Sequence, residues 1–322
     1  MQVPSGRSGS NVQRMLDAHQ VAVEAEDAVR KLSVARDAQF EALYSCLIVD
    51  EPAVHLLPLH FLPPDSEGVV EPAVLHDLGV AAKLEYARNR WLDEMVDAQT
   101  PYPASLTAHR LNDALLASIN GRYARVVDGP MAPSFYEILS NLYARHGLSV
   151  ILDGQRAGYP ERAMSLKEYV EHARARHGPM RAPLDALLLL VGASERTIRR
   201  ARASWHNWEL GVQFYDDALD VEEDYRARNS SWVLSRSLEI FRNGPDGRGP
   251  SVLPDPERFY ELALTEGVVC RALTLAENFF AASARQAEGT FPTWAAYQRE
   301  CLSRTASLRE DYEGFVAEAR RI

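Results

Sequence analysis

Cysteine is scarce in this chain. The 322 residues hold only Cys46, Cys270 and Cys301, an odd number without CxxC spacing, which excludes a disulfide framework and a zinc site and leaves buried thiols as the reading. Positive charge is scarce as well. A net charge of -10 and a pI near 5.5 exclude a nucleic-acid binder, which needs a basic face for the phosphate backbone. Lysine is confined to Lys31, Lys83 and Lys167, so contacts to anionic groups fall to arginine. Long apolar runs are missing: the longest uncharged one, around Leu187 to Val191, is far shorter than the roughly 20 residues a membrane helix needs. No basic start precedes an apolar segment, so neither a signal peptide nor a transmembrane helix is expected, and the acidic balance suits a cytoplasmic protein. Internal repeats and low-complexity tracts are absent, which excludes a solenoid.

What the chain does have is helical periodicity. A hydrophobic content of 46% is ample for one large core. Apolar residues recur at a 3.6-residue period through almost every segment, predicting helices near 11–33, 35–48, 74–99, 105–127, 133–152, 165–176, 182–192, 194–229, 230–242, 256–285 and 291–320. The fold class is therefore all-α. Breaks fall at Leu57 to Pro64, Thr100 to Pro103, Gly178-Pro179 and the Gly/Pro-rich stretch from Asn243 to Pro256, none of which reads as an interdomain linker. The Ser/Gly-rich residues 1–10 have nothing to bury and are expected to be a disordered tail, leaving 11–322 as a single helical domain.

Two acidic clusters stand out within these helices. Asp93-Glu94-x-x-Asp97 puts Asp93 and Asp97 on one face, and Asp216-Asp217-x-x-Asp220 does the same for Asp216, Asp220 and Asp224. Repeated like charge on one face destabilises a bare helix and calls for a cation. Carboxylates without neighbouring His or Cys favour a hard ion such as Mg2+, held by a few carboxylates together with substrate phosphate oxygens. The second cluster also lies beside the apolar Val212, Phe214, Leu219 and Val221, where desolvation raises carboxyl pKa values unless a cation offsets it.

The run Gly211-Val212-Gln213-Phe214-Tyr215-Asp216-Asp217-Ala218-Leu219-Asp220 resembles the second aspartate-rich motif of trans-polyprenyl diphosphate synthases, including the Gln three residues before the Asp pair. Asp93-Glu94-x-x-Asp97 is similar to a variant of that family's first DDxxD motif, and the resemblance spans roughly residues 75 to 240. It places the chain among class I isoprenoid synthases. It implies a single helical bundle around a central cavity, three Mg2+ ions between the two acidic helices, a prenyl diphosphate substrate and often a homodimer. On it, Asp93, Glu94, Asp97, Asp216, Asp217, Asp220 and Asp224 are metal ligands, and Asp93, Asp97, Asp216 and Asp220 carry the ionisation. Gln213 with Arg174, Arg176 and Arg181 are diphosphate contacts; Tyr86, Asn89, Trp205 and Val212 line the cavity, with Glu209 near the same face. Arg309 and Tyr312 resemble the Arg and Tyr that cap the diphosphate in some cyclases.

Departures from the elongating synthases bear on the branch. Their Arg pair after the first motif is replaced by Ala98-Gln99-Thr100-Pro101-Tyr102-Pro103, and their Lys-Thr pair is absent from Arg174 to Arg181. Losing the grip on a second diphosphate points to an enzyme that ionises one C20 or C15 prenyl diphosphate, linear or bicyclic, and cyclises it: a divergent class I terpene synthase. The alternatives are a prenyltransferase that adds isopentenyl diphosphate, and a non-catalytic accessory subunit of one.

Overall fold

The computed structural model describes residues 18–31, 43, 56–66, 69–97, 106–156, 163–229, 231–244 and 253–319. Among these the chain is helical, without a strand. The expected tail at 1–10, the expected helix at 35–48 apart from buried, helical Leu43, and residues 245–252 of the long loop lie outside the described residues.

One helix organises the rest. α3 (Pro72–Asp97) follows two shorter helices, α1 (Ala18–Lys31) and α2 (Leu57–His60), and its apolar residues are not confined to one stripe. Leu75, Leu78, Val80, Ala81, Ala82, Leu84, Ala87 and Trp91 are all enclosed, so α3 is buried around most of its circumference, as a helix through the middle of a bundle must be. Its neighbours are α1, α4 (Leu106–Val126), α5 (Ala132–Arg156) and α7 (Ala182–Leu190). At its outer end, Asp77 accepts from Arg122 at 2.7 Å and Arg125 at 2.7 Å on α4, while Arg122 also reaches Glu24 on α1 at 2.8 Å. This network ties three helices together where α3 leaves the core.

The second half of the bundle is built on small residues. α8 (Glu195–Leu219) packs along α12 (Val268–Ala287), with the small residues Ala201, Ser204 and Gly211 buried on the first and Ala272, Ala276, Ser283 and Ala284 on the second. Ser204 and Ser283 each donate a side-chain hydrogen bond to the other's backbone carbonyl at 2.8 Å, which satisfies polar groups where the two helices approach closely. Gly211 sits under the Phe280 ring, and a Cβ there would lie 2.6 Å from it. α13 (Pro292–Ala319) covers α12, and Trp294 joins Trp205 and Trp208 in an aromatic cluster.

Local chemistry sets the remaining boundaries. α6 (Leu166–Arg176) opens on a capping box, with Ser165 Oγ accepting from the Glu168 amide and Glu168 accepting from the Ser165 amide. Two helices expected as continuous are divided. The stretch 194–229 breaks at Asp220 into α8 and α9 (Val221–Ala227), although the backbone bonds from Asp220 N–H to Asp216 and from Asp224 N–H to Asp220 bridge the break. The stretch 256–285 breaks at Gly267, whose φ of +71° ends α11 (Pro256–Thr265) before α12 begins. Apolar periodicity runs through both points; the interruption comes from backbone chemistry, glycine in the left-handed region in one case and an aspartate leaving the helical well in the other. α10 (Trp232–Asn243) completes the second half, started by Ser231, which accepts from the Leu234 amide.

Candidate functional site

The C-terminal end of α3 carries the first acidic cluster. The helix continues to Asp97, so Asp93 and Asp97 keep the spacing that stacks them on one face; the side chains of Asp93, Glu94 and Asp97 lie outside the described residues. One turn earlier, Arg90 is close enough to Asp220 that its charge draws down that carboxyl's pKa. Arg90 thus connects the end of α3 to the second cluster, a link the sequence does not announce because nothing local joins positions 90 and 220.

The second cluster divides into outward and inward members. Asp216 and Asp220 are exposed at the end of α8. Burial and the neighbouring Glu223 charge push Asp220 upward despite Arg90. Asp217 turns into the protein and is 3% exposed. Its Oδ2 accepts from the Tyr169 hydroxyl at 2.7 Å and from the Trp232 amide at 2.7 Å, and its Oδ1 accepts from Gln213 Nε2 at 3.1 Å. The Trp232 amide is one of the donors at the start of α10 that lack an intrahelical acceptor, so Asp217 also meets the positive end of that helix. Both oxygens of Asp217 are therefore engaged in joining α6, α8 and α10.

Asp224, half-buried on α9, is pushed upward by burial and then by the negative charges of Asp217 and Asp220, with partial relief from Ser231 and Asn229. Burial also raises Asp217, opposed by its hydrogen bonds and by the Arg176 charge. The cluster is thus short of positive charge, which is the condition a hard cation would relieve. Among the described residues, no three His, Cys, Asp or Glu side chains converge as a ready metal-holding group.

The remaining expected residues fall in different places. Arg176 lies near Asp217 and Tyr169, acting on both through its charge, and its carbonyl oxygen is 2.6 Å from His146 Nδ1. Arg174 is exposed on the same helix, α6. Arg181 is taken up by Asp185 at 3.0 Å and His206 at 2.8 Å, and Gln213 by Asp217. Trp205, expected to line a cavity, is completely enclosed: its indole donates to Glu209 at 2.7 Å and its ring packs 4.5 Å from Trp208. Val212 is half-buried against the core, and Tyr86 is half-buried with its hydroxyl 3.4 Å from Arg90. Arg309 pairs with Glu277 and Glu313, and Tyr312 is half-buried beside Tyr260. Asn89 is 2% exposed, and neither end of its amide has a partner.

The all-α bundle has the class I isoprenoid synthase fold, as superposition on solved structures shows. A polyprenyl synthase from Caulobacter crescentus CB15, complexed with calcium and isoprenyl diphosphate, superposes with a TM-score of 0.67 at 18% identity, covering 93% of this chain and 99% of its own. A geranylgeranyl pyrophosphate synthase from Lactobacillus brevis gives 0.65 at 14% identity, with 89% and 97% covered. A polyprenyl synthase from Roseobacter denitrificans gives 0.58 at 13%, with 91% and 99% covered. At these identities the likeness speaks for the fold. No protein-family model and no curated protein matches the sequence. Among the described residues, no helix is long and apolar enough to cross a membrane.

Proposed function

We propose that the protein is a Mg2+-dependent, cytoplasmic enzyme that ionises an allylic prenyl diphosphate and joins the resulting cation to isopentenyl diphosphate. The observation that supports this reading is the charge of Arg90 acting on Asp220, which relates the helix end that holds positions 93 and 97 to the second acidic cluster. Magnesium, when bound, supplies Lewis-acid neutralisation of the departing pyrophosphate. Asp216 and Asp220 from α8, with Asp93 and Asp97 from α3, would hold it, since these four keep the helical spacing and the two on α8 are exposed. Asp217 fixes the end of α8 through Tyr169, Gln213 and the α10 N-terminus, so the acids beside it keep their direction. Arg176, near Asp217, and Arg174, exposed on the same helix, would supply cations for phosphate oxygens. The named activities of the solved structures with this fold favour prenyl transfer over cyclisation.

A second reading is single-substrate cyclisation. It is favoured by Ala98 to Pro103, where the elongating synthases carry an Arg pair and this chain carries none. The deciding assay measures Mg2+-dependent pyrophosphate release from farnesyl, geranylgeranyl and copalyl diphosphates, with and without isopentenyl diphosphate. A longer diphosphate formed only with isopentenyl diphosphate is the expected result. Release without it, giving a hydrocarbon or an alcohol, establishes cyclisation instead. No release under any of these conditions refutes both and leaves the accessory-subunit reading.

A further inference from the structure

The face of α3 that carries Asp93 and Asp97 continues into the protein at the same spacing of four, through Asn89 to Glu85. Eight residues at 1.5 Å per residue put Glu85 about 12 Å along the helix from Asp93, on the interior side. This side of the helix, enclosed in the bundle, would ordinarily be apolar. It is polar instead. Glu85 is completely buried and accepts from the Tyr143 hydroxyl on α5. Arg88 is 7% exposed, donates from Nε to Asn112 Oδ1 on α4 at 2.9 Å, and lies 5.4 Å over the Tyr143 ring. Tyr123 of α4 is completely enclosed and near enough to Glu85 and Tyr143 for both to raise its pKa, after burial itself.

Five polar atoms of this cluster have no partner: Glu85 Oε2, Arg88 Nη1, both ends of the Asn89 amide, and the Tyr123 hydroxyl. An unmet buried polar group costs about 1–3 kcal/mol, so this many in one place mark a group still to be bound. The set mixes donors, on Arg88, Asn89 and Tyr123, with acceptors, on Glu85 and Asn89. A bare cation would leave the donors unmet and a bare anion the acceptors. A neutral hydroxyl, which donates and accepts at once, meets both.

We propose that Glu85, Arg88, Asn89, Tyr123 and Tyr143 form a subsite for a hydroxyl group at the tail end of an isoprenoid ligand, remote from its diphosphate. The substrate class is thereby an oxygenated prenyl diphosphate in place of a plain hydrocarbon one. The inference rests on the proposed function only in taking the ligand to be an isoprenoid. A site built to hydrogen-bond a hydroxyl discriminates strongly against the analogue lacking it, because its own polar groups then stay unpaired.

The test compares farnesol and geranylgeraniol with their counterparts hydroxylated at the far terminal methyl, by calorimetric titration of the full chain. The corresponding diphosphates are titrated with Mg2+ in parallel. The hydroxylated probes should bind tighter by about tenfold or more, the ~1.4 kcal/mol that one well-made hydrogen bond supplies. Asn89→Leu should bring that ratio towards one, and Glu85→Gln, whose oxygen stays with the Tyr143 hydroxyl and whose NH2 then replaces the unpartnered acceptor, should lower it as well. Because the free alcohols carry no diphosphate, their preference reads the subsite without the metal site. Pyrophosphate release from the diphosphates reads the proposed function separately. Equal affinities for the plain and hydroxylated alcohols, or no binding of the hydroxylated ones, would overturn the subsite whatever the enzyme assay shows.

Discussion

Replacing Glu85 by Gln should stabilise the protein at high pH and leave it nearly unchanged at low pH. Burial without full compensation pushes the Glu85 carboxyl from its ordinary 4.5 up to about 7, only partly opposed by Arg88 and by the Tyr143 hydrogen bond. The folded state therefore holds a proton that the unfolded chain gives up. Stability from this group is complete below pH 4.5 and is lost as the pH rises through 7. The gap between those two values corresponds to a loss of about 3 kcal/mol, most of it between about pH 5 and pH 8, at ~1.4 kcal/mol per unit. A Gln side chain has nearly the same shape, accepts from Tyr143 through its oxygen and does not titrate. The stability difference between variant and wild type should thus grow with pH by that amount, which corresponds to a few degrees in melting temperature for a chain of this size. Urea or thermal melts of both proteins across that range supply the assay. A difference that stays constant with pH would refute the reasoning, because it would mean that Glu85 is ionised at both ends of the range.

Further expectations follow from the packing and the second acidic cluster. Gly211→Ala places a Cβ 2.6 Å from the Phe280 ring and should cost about 1–3 kcal/mol in chemical denaturation, with partial recovery in a Gly211→Ala, Phe280→Leu double variant. Asp217→Ala strips three donors, on Tyr169, Gln213 and Trp232, of their shared acceptor; a loss of about 3 kcal/mol or more is expected, and a melt unchanged from wild type would contradict the inward role. Asp216→Asn and Asp220→Asn, at exposed positions, should leave the melt within about 0.5 kcal/mol of wild type while abolishing Mg2+-dependent pyrophosphate release. Ser283→Ala removes a bond to the Ser204 carbonyl between α8 and α12 and should cost about 1 kcal/mol by denaturant titration.

Much of the bundle is legible in the sequence because its signals are local. The 3.6-residue period marks α3 to within two residues at either end, and Ser165 with Glu168 announces the start of α6 through the capping pattern alone. The breaks at Asp220 and Gly267 are missed for a physical reason: apolar periodicity reports which face is buried and says nothing of a single residue leaving the helical well while the face stays buried. The two acidic clusters are legible as clusters. Their internal division is not, since only packing decides that Asp217 meets Tyr169 and the start of α10 while Asp216, its neighbour, faces outward. Trp205 illustrates the opposite error. An aromatic seven residues or more before an acidic motif suits a cavity wall equally well as a core, and its neighbours Trp208 and Trp294, one of them far away in the chain, assign it to the core.

The α3 ladder shows how one periodicity can serve two ends of a site. Residues four apart on a helix drift by only about 40° per step, so Asp93 and Asn89 share a face and Asn89 and Glu85 share one. A ligand laid along that face with its diphosphate at Asp93 and Asp97 would reach Asn89 and Glu85 with its tail. At Glu85 and Asn89 this face is withdrawn from water, which drives the Glu85 carboxyl towards its neutral form and leaves the Asn89 amide unpaired. A chain selected only to enclose a hydrocarbon gains nothing from either, because apolar side chains of similar size would pack the same positions without a desolvation cost. On the proposed reading, polar side chains at positions 85 and 89 therefore bear on the ligand's composition, and the acidic cluster at the end of the same helix on its leaving group.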